Sequence, residues 1–201
     1  FKNNVIDTPL LKITLKDELL KIIKSSGGKY VFITNNSSRS VEDYVKKLVN
    51  LGLDYIEEND FFTSTQATKK LLKEQFDKGL IYAQGTRSFV QELLDYGLNI
   101  TQEYDPNAVA VIVGFDNELT SEKLKNTCKT LTLNNKIPYY ATNPDWVCPV
   151  DFGYVPDCGS MCFGIEKATG RRPVFIGKPQ PQMIYSAMEK FGFNKEQTVV
   201  V

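Results

Sequence analysis

Four short polar segments each follow a predicted buried strand, and they hold the residue types best suited to chemistry. They are residues 34–38 (TNNSS), 114–116 (GFD), 142–145 (TNPD) and 177–179 (GKP). In an open parallel sheet, ligands bind beyond the carboxyl ends of the strands. We therefore expect the binding site to be built from these four segments.

The first and the last segments have the residue types of an anion site. Thr34 and Asn35 precede a predicted helix, where unpaired backbone N–H groups and the helix dipole favour negative charge. Lys178 places an ammonium group directly after another strand, where it can neutralise a phosphate. The alternative interpretation is a simple helix cap at Thr34-Asn35 and a solvated surface lysine at 178.

Composition excludes several other catalytic classes. The chain of 201 residues contains no histidine, so it has no Ser-His-Asp triad, no Cys-His dyad and no HExxH zinc site. Neither a GxxxxGK[ST] nor a GxGxxG nucleotide motif occurs, which disfavours another type of nucleotide-binding domain. Any chemistry must use carboxylates, hydroxyls, lysines, thiols or a bound metal.

Charge, hydropathy and cysteine content indicate the setting. The 24 basic and 24 acidic residues balance, so we expect no nucleic-acid partner. No apolar run approaches the roughly 20 residues of a membrane helix, so we expect no membrane partner. The thiols are too few for a disulfide scaffold, and reduced thiols predict a cytoplasmic location. They belong to Cys128, Cys148, Cys158 and Cys162.

The elements that must position these segments alternate between strands and helices. Short apolar runs predict strands at 30–34, 80–83, 108–113, 137–141 and 174–176, with another beginning at 198. Apolar residues at helical spacing predict helices at 14–23, 41–51, 63–76, 87–96, 121–133, 158–168 and 182–191. This alternation predicts an α/β fold with a parallel sheet.

Four motifs occur in a fixed order: ITNNSS at 33–38, ATNPD at 141–145, PDCGSM at 156–161 and GRRPVFIGKP at 170–179. Together they resemble the haloacid-dehalogenase superfamily, and more closely its NagD-like branch, which includes 4-nitrophenyl phosphatases. The resemblance runs from about residue 14 to the last residue. It implies a doubly wound core interrupted by an inserted α/β cap domain. We place the core at 1–78 and 173–201, where it is truncated, and the cap at 79–172.

The same resemblance implies an activity. It is that of a Mg²⁺-dependent phosphatase, which hydrolyses small phosphate monoesters through an aspartyl-phosphate intermediate. The implied partner is a small phosphorylated metabolite. Related caps often pair, so a homodimer formed through the cap is a further expectation.

Residue by residue, the resemblance implies roles for matching positions. Thr34 corresponds to the hydroxyl that grips the phosphoryl group, and Asn35 supplies a backbone N–H beside it. Lys178 corresponds to the lysine that steadies the nucleophilic carboxylate and the transferring phosphoryl group. The cap loops that close over the substrate are matched by Asn143, Asp145, Gly159 and Ser160.

Two departures separate this chain from the pattern. The family's first motif, DxDGT, which carries the nucleophile, is absent; Asp7-Thr8 is its nearest remnant, and Pro9 stands where the second Asp would be. The fourth, Asp-containing motif would begin where the chain ends at Val201, so the metal ligands are unknown. We expect that residues were lost near 7–13 and beyond 201. The alternative is a degenerate copy that binds phosphorylated ligands, or dimerises, without catalysis.

Overall fold

Helices and strands alternate along residues 9–200, which are the residues that the computed structural model describes. The helices are α1 Pro9–Ser25, α2 Val41–Asn50, α3 Ser64–Phe76, α4 Arg87–Asp95, α5 Ser121–Leu133, α6 Cys158–Thr169 and α7 Pro181–Phe191. The strands are β1 Phe32–Thr34, β2 Phe61–Thr63, β3 Leu80–Gln84, β4 Asn99–Thr101, β5 Ala108–Val113, β6 Tyr139–Ala141, β7 Val147–Val150, β8 Gly153–Pro156 and β9 Val174–Phe175. Short 3₁₀ turns lie at Glu58–Asp60 and Lys195–Gln197.

The principal sheet has five strands in the order β4-β3-β5-β6-β9, and each neighbouring pair is parallel. Strand β5, AVAVIV, lies in the middle, and all of its side chains except Val109 are buried. Central parallel strands are covered on both faces, which explains why this strand is a continuous apolar run. The predicted α/β fold with a parallel sheet is confirmed.

The chain forms two compact units. Among the described residues, one unit comprises residues 9–32 together with Val41–Phe61. Its core contains Leu53, Ile56 and Phe61, and the Phe32 ring packs 5.2 Å from that of Phe61. The other unit comprises Ile33–Ser40 and the chain from Phe62 onward, including the five-stranded sheet. The division of the sequence at 78/79 and 172/173 stays a prediction.

Several predicted elements need correction. Helix α1 begins at Pro9 rather than at residue 14, because proline is tolerated in a first helical turn and apolar residues continue upstream. The helix is continuous through residues 9–13, which counts against a break there, whereas Asp7 and Thr8 lie outside the described residues. Residues 198–200 form no strand. Strands β2 and β4 and the antiparallel β7–β8 hairpin were not predicted.

Arg171 secures the connection that leaves α5. Its guanidinium donates to the carbonyl oxygens of Asn135 at 2.5 Å and Ile137 at 2.6 Å, and to that of Leu131 at 3.4 Å. The last carbonyls of a helix lack intrahelical partners, and a cation is favoured beside them. Arg171 therefore has a structural role just past the end of α5.

We expect Arg171→Ala to lower the free energy of unfolding by about 2 kcal/mol, because hydrogen bonds from a charged donor to these carbonyls are lost. Arg172→Ala is the matched control, since that neighbouring side chain is exposed, and its substitution should change stability by less than about 0.5 kcal/mol. Urea unfolding of both variants checks this. Equal losses in the two would contradict the assignment.

Candidate phosphate site

The loop that follows β1 is folded by its own side chains. The Asn36 backbone N–H donates to Thr34 Oγ1 at 3.2 Å, and Asn36 Oδ1 accepts from both the N–H and the hydroxyl of Ser38 at 2.8 Å. Side chains of this type commonly hold tight turns by bonding to nearby backbone groups. The loop therefore presents Thr34 in one defined conformation.

Ser37 joins this loop to two others. Its hydroxyl, which is buried, accepts from the Phe115 N–H at 2.9 Å and lies 3.0 Å from Thr142 Oγ1. The Thr142 hydroxyl is 2.8 Å from Asn143 Oδ1, to which it can give its single hydrogen. Ser37 is then the donor to Thr142. The loops after β1, β5 and β6 thus meet at one edge of the sheet.

Two carboxylates flank this edge, and the amide of Asn143 holds both. Asn143 Nδ2 donates to Asp145 Oδ2 at 3.2 Å and to Asp157 Oδ1 at 3.0 Å. Asp157 also caps α6, since its Oδ1 accepts from the Cys158 N–H at 2.5 Å. Burial raises the pKa of the Asp157 carboxyl, although the hydrogen bonds from Cys158 and Asn143 oppose the rise; the charge of Asp145 adds to it.

Lys178 lies beside the loop after β1. Its ammonium group donates to the Ile33 carbonyl oxygen at 2.9 Å, one residue before Thr34. Its backbone N–H donates to Asn35 Oδ1 at 2.8 Å, and its carbonyl oxygen accepts from Asn35 Nδ2 at 3.0 Å. The structure therefore brings Thr34, Asn35 and Lys178 into one neighbourhood, although 143 residues separate Asn35 from Lys178.

Two glycines allow backbones to approach closely here. A Cβ on Gly177 would lie 2.5 Å from the Thr142 carbonyl oxygen and 2.6 Å from Asn35 Oδ1. A Cβ on Gly159 would collide with the Pro144 carbonyl and lie 2.8 Å from that of Asp145. The Gly159 N–H donates to the same Asp145 oxygen at 2.8 Å. Both positions require glycine for space.

The remaining predicted residues have different surroundings. Asn143 and Asp145 join the group, because Asn35 Nδ2 also donates to Asp145 Oδ2 at 3.0 Å. Gly159 reaches it through its backbone, whereas the Ser160 hydroxyl donates to the Trp146 carbonyl oxygen at 2.5 Å. Sequence reasoning did not single out Asp157; its position just before α6 was the available signal.

Comparison with known proteins identifies a family and several relatives that resemble the chain. Residues 13–99 match the family of haloacid dehalogenase-like hydrolases. The chain is 33% identical over 190 residues to the 5′-nucleotidase YutF of Bacillus subtilis (strain 168). This alignment covers 94% of this chain and 72% of YutF. The chain is also 33% identical over 184 residues to the ribonucleotide monophosphatase NagD of Escherichia coli (strain K12), and this alignment covers 92% of this chain and 70% of NagD. The chain belongs to the haloacid dehalogenase-like hydrolases.

A solved structure supports the same assignment. The 4-nitrophenylphosphatase of Thermotoga maritima superimposes on this hydrolase with a TM-score of 0.81 at 38% identity, covering 90% of this chain and 67% of that one. The predicted superfamily, its NagD-like branch and the fold class are confirmed. Within residues 9–200 of the hydrolase, no helix has both the length and the apolar character needed to cross a membrane.

The described part of the hydrolase does not by itself form a magnesium site. Mg²⁺ prefers oxygen ligands, largely carboxylates and water. No group of three or more Asp, Glu, Cys or His side chains suited to a metal occurs among residues 9–200. Asp145 already accepts from two amides, and the buried Asp116 is paired with Lys123 at 2.9 Å. Asp7, the nearest remnant of the first motif, lies outside these residues.

Two glycines of α6 give opposite expectations in this hydrolase. Gly159→Ala should lower the free energy of unfolding by about 1–3 kcal/mol, because its Cβ would force the loop at Pro144-Asp145 to move. Gly164→Ala, the control in the same helix, meets no atom within 4 Å and should raise it by up to about 1 kcal/mol. Denaturant unfolding measures both. A neutral Gly159→Ala would contradict the close approach.

Asp157 should make stability depend on pH. A carboxyl whose pKa is raised by folding is protonated more readily in the folded state, so its contribution to stability falls as pH rises above its unfolded value near 3.8. Asp157→Asn removes this fall while keeping an Oδ1 acceptor for Cys158 and Asn143. The free energy of unfolding of the unsubstituted chain and of Asp157→Asn, measured from pH 3.5 upward, tests this prediction. A constant difference between them across that range would rule the effect out.

Proposed function

We propose that this hydrolase binds the phosphoryl group of small phosphate monoesters at the loop after β1 and hydrolyses them. The observation that carries the proposal is the position of Lys178, whose ammonium group lies 2.9 Å from the carbonyl oxygen next to Thr34. The relatives support the substrate class, since they are named as a 5′-nucleotidase, a ribonucleotide monophosphatase and an acid sugar phosphatase. All three names describe phosphate-ester hydrolases.

The ammonium group of Lys178 is free to meet an anion. Among the ion pairs of residues 9–200, none involves Lys178, and its described partner is the neutral Ile33 carbonyl. An ammonium group has three donors, so it can bind a phosphoryl oxygen while keeping this bond. No carboxylate has to be displaced first. The group would then offset the charge that spreads over the transferring phosphoryl group.

Thr34 and Asn35 would bind the same phosphoryl group. Residues 35–40 separate Thr34 from the start of α2, so the donors we assign are the Thr34 hydroxyl and the Asn35 backbone N–H rather than helical groups. Preorganised donors of this kind act without reorganising during the reaction. The nucleophilic aspartate and Mg²⁺ remain predictions of the family resemblance, and we derive no step through the metal.

We propose further that residues 79–172 form a cap whose loops select the leaving group. The bond from Asn35 to Asp145 supports this, because it joins the phosphate loop to a predicted cap loop that also contains Asn143. Gly159 and Ser160 would shape the neighbouring loop. Pairing of two caps in a homodimer and a cytoplasmic location also stay predictions of the resemblance.

A phosphate-binding module without turnover is the second candidate. It needs only anion-binding groups, and Thr34, Asn35 and Lys178 lie in one neighbourhood. Both candidates use Thr34 and Lys178 in the same way. They differ only in whether a bound ester is cleaved.

We expect Lys178→Ala to lower turnover of 4-nitrophenyl phosphate by about 100-fold or more, because one charged donor to the transition state is lost. It should also weaken the binding of inorganic phosphate. Lys136→Ala, at an exposed lysine outside the site, is the control and should leave both unchanged. Steady-state kinetics with Mg²⁺ present and calorimetry with phosphate provide the two measurements.

The unsubstituted chain decides between the two candidates. Turnover that depends on Lys178 supports the enzyme, whereas phosphate binding without turnover supports the binding module. If Lys178→Ala matches the Lys136→Ala control in both measurements, Lys178 is not part of the site.

A further inference from the structure

We propose that the side chain of Asn35 is a positioning residue, which holds Lys178 in place for the phosphoryl group. The inference rests on the proposed function of the site and adds a role distinct from the Asn35 backbone N–H. Asn35 Oδ1 accepts from the Lys178 N–H at 2.8 Å, and Asn35 Nδ2 donates to the Lys178 carbonyl oxygen at 3.0 Å. One carboxamide thus pairs with both backbone groups of one lysine.

A carboxamide is suited to this pairing. It carries an acceptor and two donors on one rigid plane, whereas a carboxylate has acceptors only. The second hydrogen of Asn35 Nδ2 has its own partner, Asp145 Oδ2 at 3.0 Å. The Asn35 side chain therefore uses its full set of hydrogens on two loops.

The position of Asn35 is fixed independently of Lys178. The Ser64 hydroxyl, at the start of α3, donates to the Asn35 carbonyl oxygen at 2.6 Å. Asp145, which receives the Asn35 amide, is itself held by Asn143 Nδ2 at 3.2 Å. Asn35 is thus anchored at its backbone and at its amide before it contacts Lys178.

The residue before Lys178 leaves room for this contact. A Cβ on Gly177 would come within 2.6 Å of Asn35 Oδ1, so only glycine lets the carboxamide reach the Lys178 peptide. The Gly177 N–H donates to the Thr142 carbonyl oxygen at 2.8 Å. The backbone is therefore held on both sides of the position where the lysine side chain begins.

Fixing the backbone matters because Lys178 is exposed and its side chain is long. A flexible ammonium group is placed accurately only if the chain that carries it is held, and small misplacements of a reacting group lower the rate strongly. The Lys178 ammonium group contacts the Ile33 carbonyl on the same loop that carries Asn35. Asn35 thus fixes the Lys178 backbone directly, and its loop also supplies the carbonyl that the Lys178 ammonium group contacts.

A double-mutant cycle on 4-nitrophenyl phosphate tests the inference. Asn35→Ala keeps the backbone N–H, so it should lower kcat by about 10- to 100-fold while KM changes less than about threefold. In the Lys178→Ala background the same substitution should cost no more than about twofold, because a positioning residue acts only through the lysine it positions. Losses that multiply in the double variant would overturn the inference.

A second readout separates positioning from a general loss of structure. Exchange of the Lys178 backbone amide hydrogen should be slow in the unsubstituted chain and fast in Asn35→Ala, which removes the Oδ1 acceptor. Asn50→Ala, at an exposed asparagine ending α2, is the matched control and should leave exchange and kcat unchanged. Thermal unfolding of each variant shows whether the fold is retained. Unaltered exchange in a folded Asn35→Ala contradicts the pairing.

A failure of the proposed function can be distinguished from a failure of the positioning role of Asn35. If the unsubstituted chain shows no turnover, the cycle is measured on the affinity for inorganic phosphate instead. A loss from Asn35→Ala that vanishes in the Lys178→Ala background then still supports positioning. Independent losses overturn it, whatever the outcome for catalysis.

Discussion

The contact between the Asn35 carboxamide and the Lys178 peptide is the interaction on which the site depends. It joins the loop after β1 to the loop after β9, and the same amide reaches Asp145 after β6. Buried or half-buried polar groups are costly when unpaired, so a network of this kind is stable only if its members are satisfied together. The parallel sheet makes such a network feasible, because it brings the ends of β6 and β9 to one edge.

The network also separates the charges of the site. The carboxylate of Asp145 accepts hydrogens from two neutral amides, those of Asn35 and Asn143, and the ammonium group of Lys178 bonds a backbone carbonyl. Neutral dipoles hold both groups in place, and among residues 9–200 no ion pair joins them. A lysine paired with a carboxylate would first have to give up that partner to bind phosphate. This arrangement leaves its charge available.

The sequence predicts the elements better than the contacts among them. Strand β5 and helix α5 were predicted with their observed bounds, because a continuous apolar run and a helical stripe are local signals. The β7–β8 hairpin was missed, since its side chains are largely exposed and it contains Pro149. The rule that ligands bind beyond strand ends grouped Thr34 with Lys178, although β1 pairs with β2 in a separate two-stranded sheet. The pairing of Asn35 with Lys178 spans 143 residues and leaves no local pattern.

Membership of the family accounts for the fold, whereas the activity depends on particular residues, because one fold can carry many functions. The group formed by Thr34, Asn35 and Lys178 would, as proposed, stabilise an anion whether or not a nucleophile lies opposite it. Electrostatic preorganisation of this type lowers the energy of a bound phosphoryl group in the ground state, and it accelerates cleavage only if the interaction strengthens in the transition state. A residue that positions Lys178 matters most in the second case, since simple binding tolerates a looser fit. The pairing of one carboxamide with both backbone groups of Lys178 therefore favours the enzyme over the binding module.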